Sequence, residues 1–157
     1  MAAKGFYVAQ EGHVINALPP VDINGGKNSD VWSMKEYAHA TILINMGVTG
    51  AASTVTLEEC DDIVPTTKTA IAFNVFKEET DAGDTLGALV AAAAAGFASS
   101  ANNNIMYVIE IDASTLAEDY PYLRVVFSDP AAATFAAVMV VLSGGRYHRD
   151  QSPTQLT

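Results

Sequence analysis

The sequence predicts an all-β protein, an antiparallel β-sandwich or jelly roll with at most a short helix. Apolar and polar residues alternate along successive segments, the period-two signature of half-buried strands. Clusters of Gly, Pro and Asp separate those segments at fairly regular spacing, as turns between short strands do. One late run, Phe135 to Leu142, is apolar on both faces, which predicts a central strand covered on both sides. The 157 residues fit a single domain, and a hydrophobic share of 50% gives it a sizeable core.

Residues 1–30 are the least patterned part. Pro19-Pro20 and Gly25-Gly26 punctuate them, and they read as an extended N-terminal arm, either a frayed tail or a segment lying across a neighbouring subunit. A sandwich domain over 31–148 follows, and 149–157 form a C-terminal tail. "VWSMKEY" (31–37) alternates. "HATILINMG" places Ala40, Ile42, Ile44 and Met46 on one face and Thr41, Leu43 and Asn45 on the other. "STVTLEEC" turns Val55 and Leu57 inward, and "TAIAFNVFKEE" does the same for Ile71, Phe73 and Val75. The Ala-rich "TLGALVAAAAAGFASS" suits a helix over Ala88–Ala95, because Ala is the best helix former. Strand-like structure over Leu86 to about Ala92 fits the neighbouring strands better. "NIMYVIEIDA" turns Ile105, Tyr107, Ile109 and Ile111 inward, and "YLRVVFSD" turns Leu123, Val125 and Phe127 inward. These two read as a pair of strands joined by the acidic "STLAEDYP", in which Ser114 would cap a helical turn. The sequence shows no internal repeat.

A net charge of -10 argues against direct contact with nucleic acid or with an anionic membrane surface, both of which call for basic patches. The start lacks the apolar core of a targeting segment, and the longest apolar run is too short and too Ala-rich to span a bilayer. The single cysteine, Cys60, leaves no partner for an intrachain disulfide. Its setting in "LEECDD" predicts that the carboxylates raise its thiol pKa and blunt its reactivity.

Catalytic patterns are missing. His13, His39 and His148 are not at metal-ligand spacing. "VLSGGR" lacks the first glycine of a nucleophile elbow, and no phosphate-cradling glycine motif occurs. The acidic sets Glu58, Glu59, Asp61, Asp62 and Glu78, Glu79, Asp81, Asp84 lack the spacing of a calcium loop and read as solvated hairpin ends. Nothing implies a cofactor or metal.

The runs "YAHATILINMGVTGAASTVTLEECDD", "TAIAFNVFKEETDAGDTLGAL", "YVIEIDASTLAEDYPYLRVVFSD" and "VVLSGGRYHRDQSP" span most of residues 37–153. Together they resemble a group of small virion-associated proteins of tailed bacteriophages. The resemblance implies a capsid decoration, or cement, protein of the β-sandwich type on the outer capsid surface. Its partners would be the major capsid protein and itself, as a homodimer or homotrimer. A tail, neck or baseplate adaptor and a calcium-dependent glycan-binding module are the alternatives. The expected interface residues lie in the arm and its junction, Pro19, Pro20, Val21, Ile23 and Trp32, and near the tail, Arg146, Tyr147 and Arg149.

Overall fold

The computed structural model describes residue 5, residues 7–78 and residues 85–145. A single helical turn, α1 (Val8–Glu11), precedes the first strand. The strands follow in chain order: β1 (His13–Asp22), β2 (Lys27–Asn28), β3 (Trp32–Ser33), β4 (Tyr37–Thr49), β5 (Thr54–Cys60) and β6 (Lys68–Ile71). After them come β7 (Phe73–Glu78), β8 (Leu86–Ala92), β9 (Phe97–Ala98), β10 (Met106–Asp112), β11 (Tyr122–Phe127) and β12 (Thr134–Gly145).

They form two antiparallel sheets, as the alternation predicts. The first runs β1-β12-β4-β10-β7-β8 and the second β2-β11-β5-β6, with β3 also on β11 and β9 also on β5. The inward faces meet as one core. Ile42, Ile44, Met46, Tyr107, Ile109, Val138 and Val140 come from the first sheet, and Val55, Leu57, Leu123, Val125 and Phe127 from the second. A β-strand turns successive side chains to opposite faces, so each of these sets is the odd or the even half of its strand.

Several expectations are corrected. Residues 13–22 are not an arm: β1 pairs antiparallel with β12 and buries Ile15, Ala17 and Leu18. Pro19-Pro20 misled because proline removes a ladder donor, which an edge strand tolerates. Two register shifts, between Asn16 and Leu18 and between Leu18 and Val21, absorb the prolines. The sandwich therefore begins near His13 and not at 31, and removing residues 1–28 would strip an edge strand from it. The run 31–37 supplies only the short β3, a turn and the first residue of β4. β10 and β11 are not paired with each other; their connector crosses from one sheet to the other. Ser114 does not cap its 3-10 turn (Ala113–Thr115); Asp112 holds the cap position, and the Thr115 hydroxyl donates to the Asp112 carbonyl at 2.6 Å. The Ala-rich segment is strand over Leu86–Ala92, as its neighbours suggest.

A repeat is present in the topology although the residues hide it. Exchanging β1 with β8, β2 with β9, β4 with β10, β5 with β11 and β7 with β12 reverses the first sheet order onto itself and does the same for the path β2-β11-β5-β9 in the second sheet. The chain thus folds as two interlocked halves about a pseudo-dyad between β4 and β10, with β3 and β6 as additions to the first half. Local bonding repeats too. Ser29 donates its backbone N–H to Val125 O (2.9 Å) and its hydroxyl accepts from Val125 N (2.9 Å). Ser99 does the same with Ser53 O (2.8 Å) and Ser53 N (3.0 Å). Gly26 and Gly96 both have φ +79, a left-handed turn that favours glycine. Aligning "VDINGGKNSD" (21–30) with "AAAAAGFASS" (91–100) leaves only that glycine and that serine identical.

Removing either serine hydroxyl leaves a buried N–H unpaired, at a cost of about 1–3 kcal/mol. Ser29→Ala and Ser99→Ala are therefore each expected to lower unfolding free energy by a similar amount in that range, measured by chemical denaturation. A loss from only one of them would show that the two halves are not mechanically equivalent.

Candidate functional site

The outward faces of the two sheets differ in chemistry. On the second sheet the outward residues are mostly polar or covered, with half-exposed Val126 an apolar exception. Arg124 pairs with Glu58 across β11 and β5, with Nη2 2.7 Å and Nε 2.8 Å from the same carboxylate oxygen. Beside them Cys60 and Tyr122 form a small buried cluster with Val31, against which Ile63 packs, and Lys35 Nζ donates to the Tyr122 hydroxyl at 3.0 Å.

The outward face of the first sheet is largely apolar. Cross-strand register places Met139 beside Leu43, Leu43 beside Val108, Val108 beside Phe76 and Phe76 beside Leu89. This stripe crosses five neighbouring strands without a charge; Met139 and Leu89 at its ends are exposed, Leu43 and Phe76 are half-buried, and Val108 at its centre is buried. The pseudo-dyad exchanges Leu43 with Val108 and Met139 with Phe76. Met139 is 46% and Leu89 50% exposed, and Phe135 and Val14 lie exposed on the same side. At one end a hollow of about 250 Å³ is lined by Pro20, Asn45, Gly47, Phe135 and Ala137. β12 is thus apolar on both faces because one face is core and the other is surface; it is not covered on both sides as expected. That run was the sequence signal for this surface.

A charged cluster lies on neighbouring strands of this face. His39 on β4 sits with Nε2 2.5 Å from Glu110 Oε2 and Nδ1 2.7 Å from Asp112 Oδ1 on β10. The Thr41 hydroxyl donates to the same Glu110 oxygen at 2.8 Å. An imidazolium donates from both nitrogens, so it satisfies both carboxylates at once. Partial burial pulls the His39 pKa down, but hydrogen bonds to Asp112 and Glu110 and their charges outweigh it, and the net shift is upward.

Of the expected interface residues, Pro19 and Pro20 are exposed on β1 and Val21 is half-buried. Ile23 and Trp32 are 0% exposed and belong to the core, so neither meets a partner. Their apolar character signalled packing and not contact. Arg146, Tyr147 and Arg149 lie outside the described residues, as does His148. His13 stacks on Tyr37 with ring centroids 5.9 Å apart, and it follows the inward side of its strand whereas His39 faces outward. Among the described residues no three His, Cys, Asp or Glu side chains gather as a metal site.

The first acidic set is only partly solvated, contrary to expectation. Glu58 holds Arg124, and Glu59 is buried and accepts from Ala117 N at 2.9 Å. Asp61 closes the following loop by accepting from Thr66 N and Thr67 N, each at 3.0 Å. The Thr66 hydroxyl bond leads the causes that lower its pKa. In the second set, Glu79, Asp81 and Asp84 lie outside the described residues. Burial pushes the Cys60 thiol up to about 11, and Glu58 and Asp61 add to it. The expected direction holds, but desolvation rather than neighbouring charge is its main cause. A neutral thiol of this kind is a poor nucleophile.

Comparison with family models, with curated proteins and with solved structures finds no match to this chain. Its function is therefore argued from its own surfaces.

A raised folded-state pKa for His39 means that folding takes up a proton near neutrality. The cluster's contribution is fully present below the unfolded value of 6.5 and is lost as pH rises through the higher folded value. The melting temperature is expected to fall between about pH 6 and pH 9 by more in the native chain than in His39→Gln. Equal slopes in both would remove the cluster as a source of pH dependence.

Proposed function

We propose that this chain is a structural, non-enzymatic protein of a tailed-phage particle. It decorates the outer capsid surface and holds neighbouring shell subunits together. The observation that carries the reading is the charge-free apolar stripe on the outward face of the first sheet. Large exposed apolar patches on a rigid scaffold mark protein contact sites. Phe135 and Met139 supply most of the exposed contact area, half-buried Leu43 lies beside Met139, and Pro20 borders the patch at the hollow. The likeness of the strand-and-turn runs to small virion proteins supports the same reading. Repetition of one modest contact over many symmetric shell positions would turn weak single contacts into stable attachment.

The partner surface on the major capsid protein would be apolar at its centre. A polar rim would meet the cluster of His39, Glu110 and Asp112. No cofactor enters this reading, and the acidic chain makes no direct contact with the packaged nucleic acid.

Quantitative mass spectrometry of purified particles tests it. The expected result is a copy number in simple proportion to the major shell protein. A fixed handful of copies would indicate a tail, neck or baseplate adaptor, and absence from particles would overturn the reading. Met139→Asp is expected to reduce occupancy about tenfold or more, with the melting temperature nearly unchanged because the side chain is already half-exposed.

A further inference from the structure

The first sheet has two edges, and they are treated differently. β1, at one edge, carries Pro19-Pro20, two register shifts and Asp22. Prolines, bulges and charges are the devices by which native edges avoid pairing with other strands. β8, at the other edge, has neither prolines nor charges in its sequence, LGALVAA. One register irregularity lies at its start, and from Leu89 to Ala92 it pairs with β7 without a shift. Among the described residues β7 is its only sheet neighbour. Leu86, Leu89 and Val90 are exposed along it.

We propose that β8 is a self-association edge, at which a second copy of this chain pairs antiparallel to join two first sheets into one continuous sheet. The strand is complementary to itself. In the register centred on Leu89, Leu86 faces Ala92, Gly87 faces Ala91 and Ala88 faces Val90, so large residues meet small ones and the two Leu89 side chains touch. Seven residues at about 3.4 Å each give a contact line of about 24 Å, long enough for a full set of ladder bonds.

Charge opposes a second copy least at this strand. Two chains of net charge -10 repel one another, and this strand lets them approach without opposing carboxylates. Leu89 shares its face with Phe76, so the apolar stripe continues across the junction into the partner's stripe. The contact is isologous and closes at two copies. It concerns the free chain and stands or falls separately from attachment to a capsid.

Sedimentation of the full chain is the test. The native protein is expected to run at twice its 16.5 kDa mass. Leu89→Lys and Ala91→Lys, both at exposed positions, are each expected to raise the dimer Kd about tenfold or more while retaining the native circular dichroism. Hydrogen exchange adds a second readout: β8 amides should be slow in the native dimer and fast in the lysine variants. A monomer, a trimer, or a dimer unaffected by both lysines would overturn the proposal. So would β8 amides that exchange equally fast in the native chain and the variants.

Discussion

The register between β4 and β10 is the constraint on which the rest of this structure depends. Ile42 lies opposite Ile109 and Ile44 opposite Tyr107, all four on the core side. A slip of β4 by one residue would turn Leu43 inward and send Ala40, Ile42, Ile44 and Met46 to water. It would also part His39 from Glu110 and Asp112, because that cluster uses the opposite face of the same two strands. Core, charged cluster and apolar stripe are thus three outcomes of one pairing. The pseudo-dyad passes through it, so the register propagates outward on both sides, to β12 and β1 and to β7 and β8.

The division of labour between the sheets follows. The second sheet meets solvent with an ion pair, a short loop held by Asp61 and a small cluster under Lys35, and its polar groups are largely satisfied within the chain. The first sheet keeps its outward face apolar over five strands. The exposed parts of that face, at Met139, Phe135, Val14 and Leu89, cost solubility, which the net charge of -10 offsets elsewhere. Such a surface is retained where something binds it.

Much of the fold was legible because burial in a sandwich writes itself as period two. The inward sets of β4, β5, β10 and β11 were readable residue by residue. β1 was not, because Pro19 and Pro20 are ordinary loop residues everywhere except on an edge, and which strand is an edge is a tertiary fact. The repeat was hidden because the turn chemistry needs only Gly26 and Gly96 at φ +79 and one serine hydroxyl in each half; any small or polar residues serve around them. The candidate surface was half legible. Phe135 to Leu142 announced apolar character on both faces, but only the sheet order shows that one of those faces is open. Ile23 and Trp32 went the other way, since alternation alone does not tell an apolar anchor from a core residue.

Hydroxyl-radical footprinting of the free chain against the chain mixed with the proposed phage particle tests the central claim most directly. The claim is that function resides on the outward face of the first sheet. The account predicts that Met139, Leu43 and Phe135 lose labelling on binding while Arg124 and Val126 on the second sheet keep theirs. Protection of the second sheet with Met139 still labelled would contradict it.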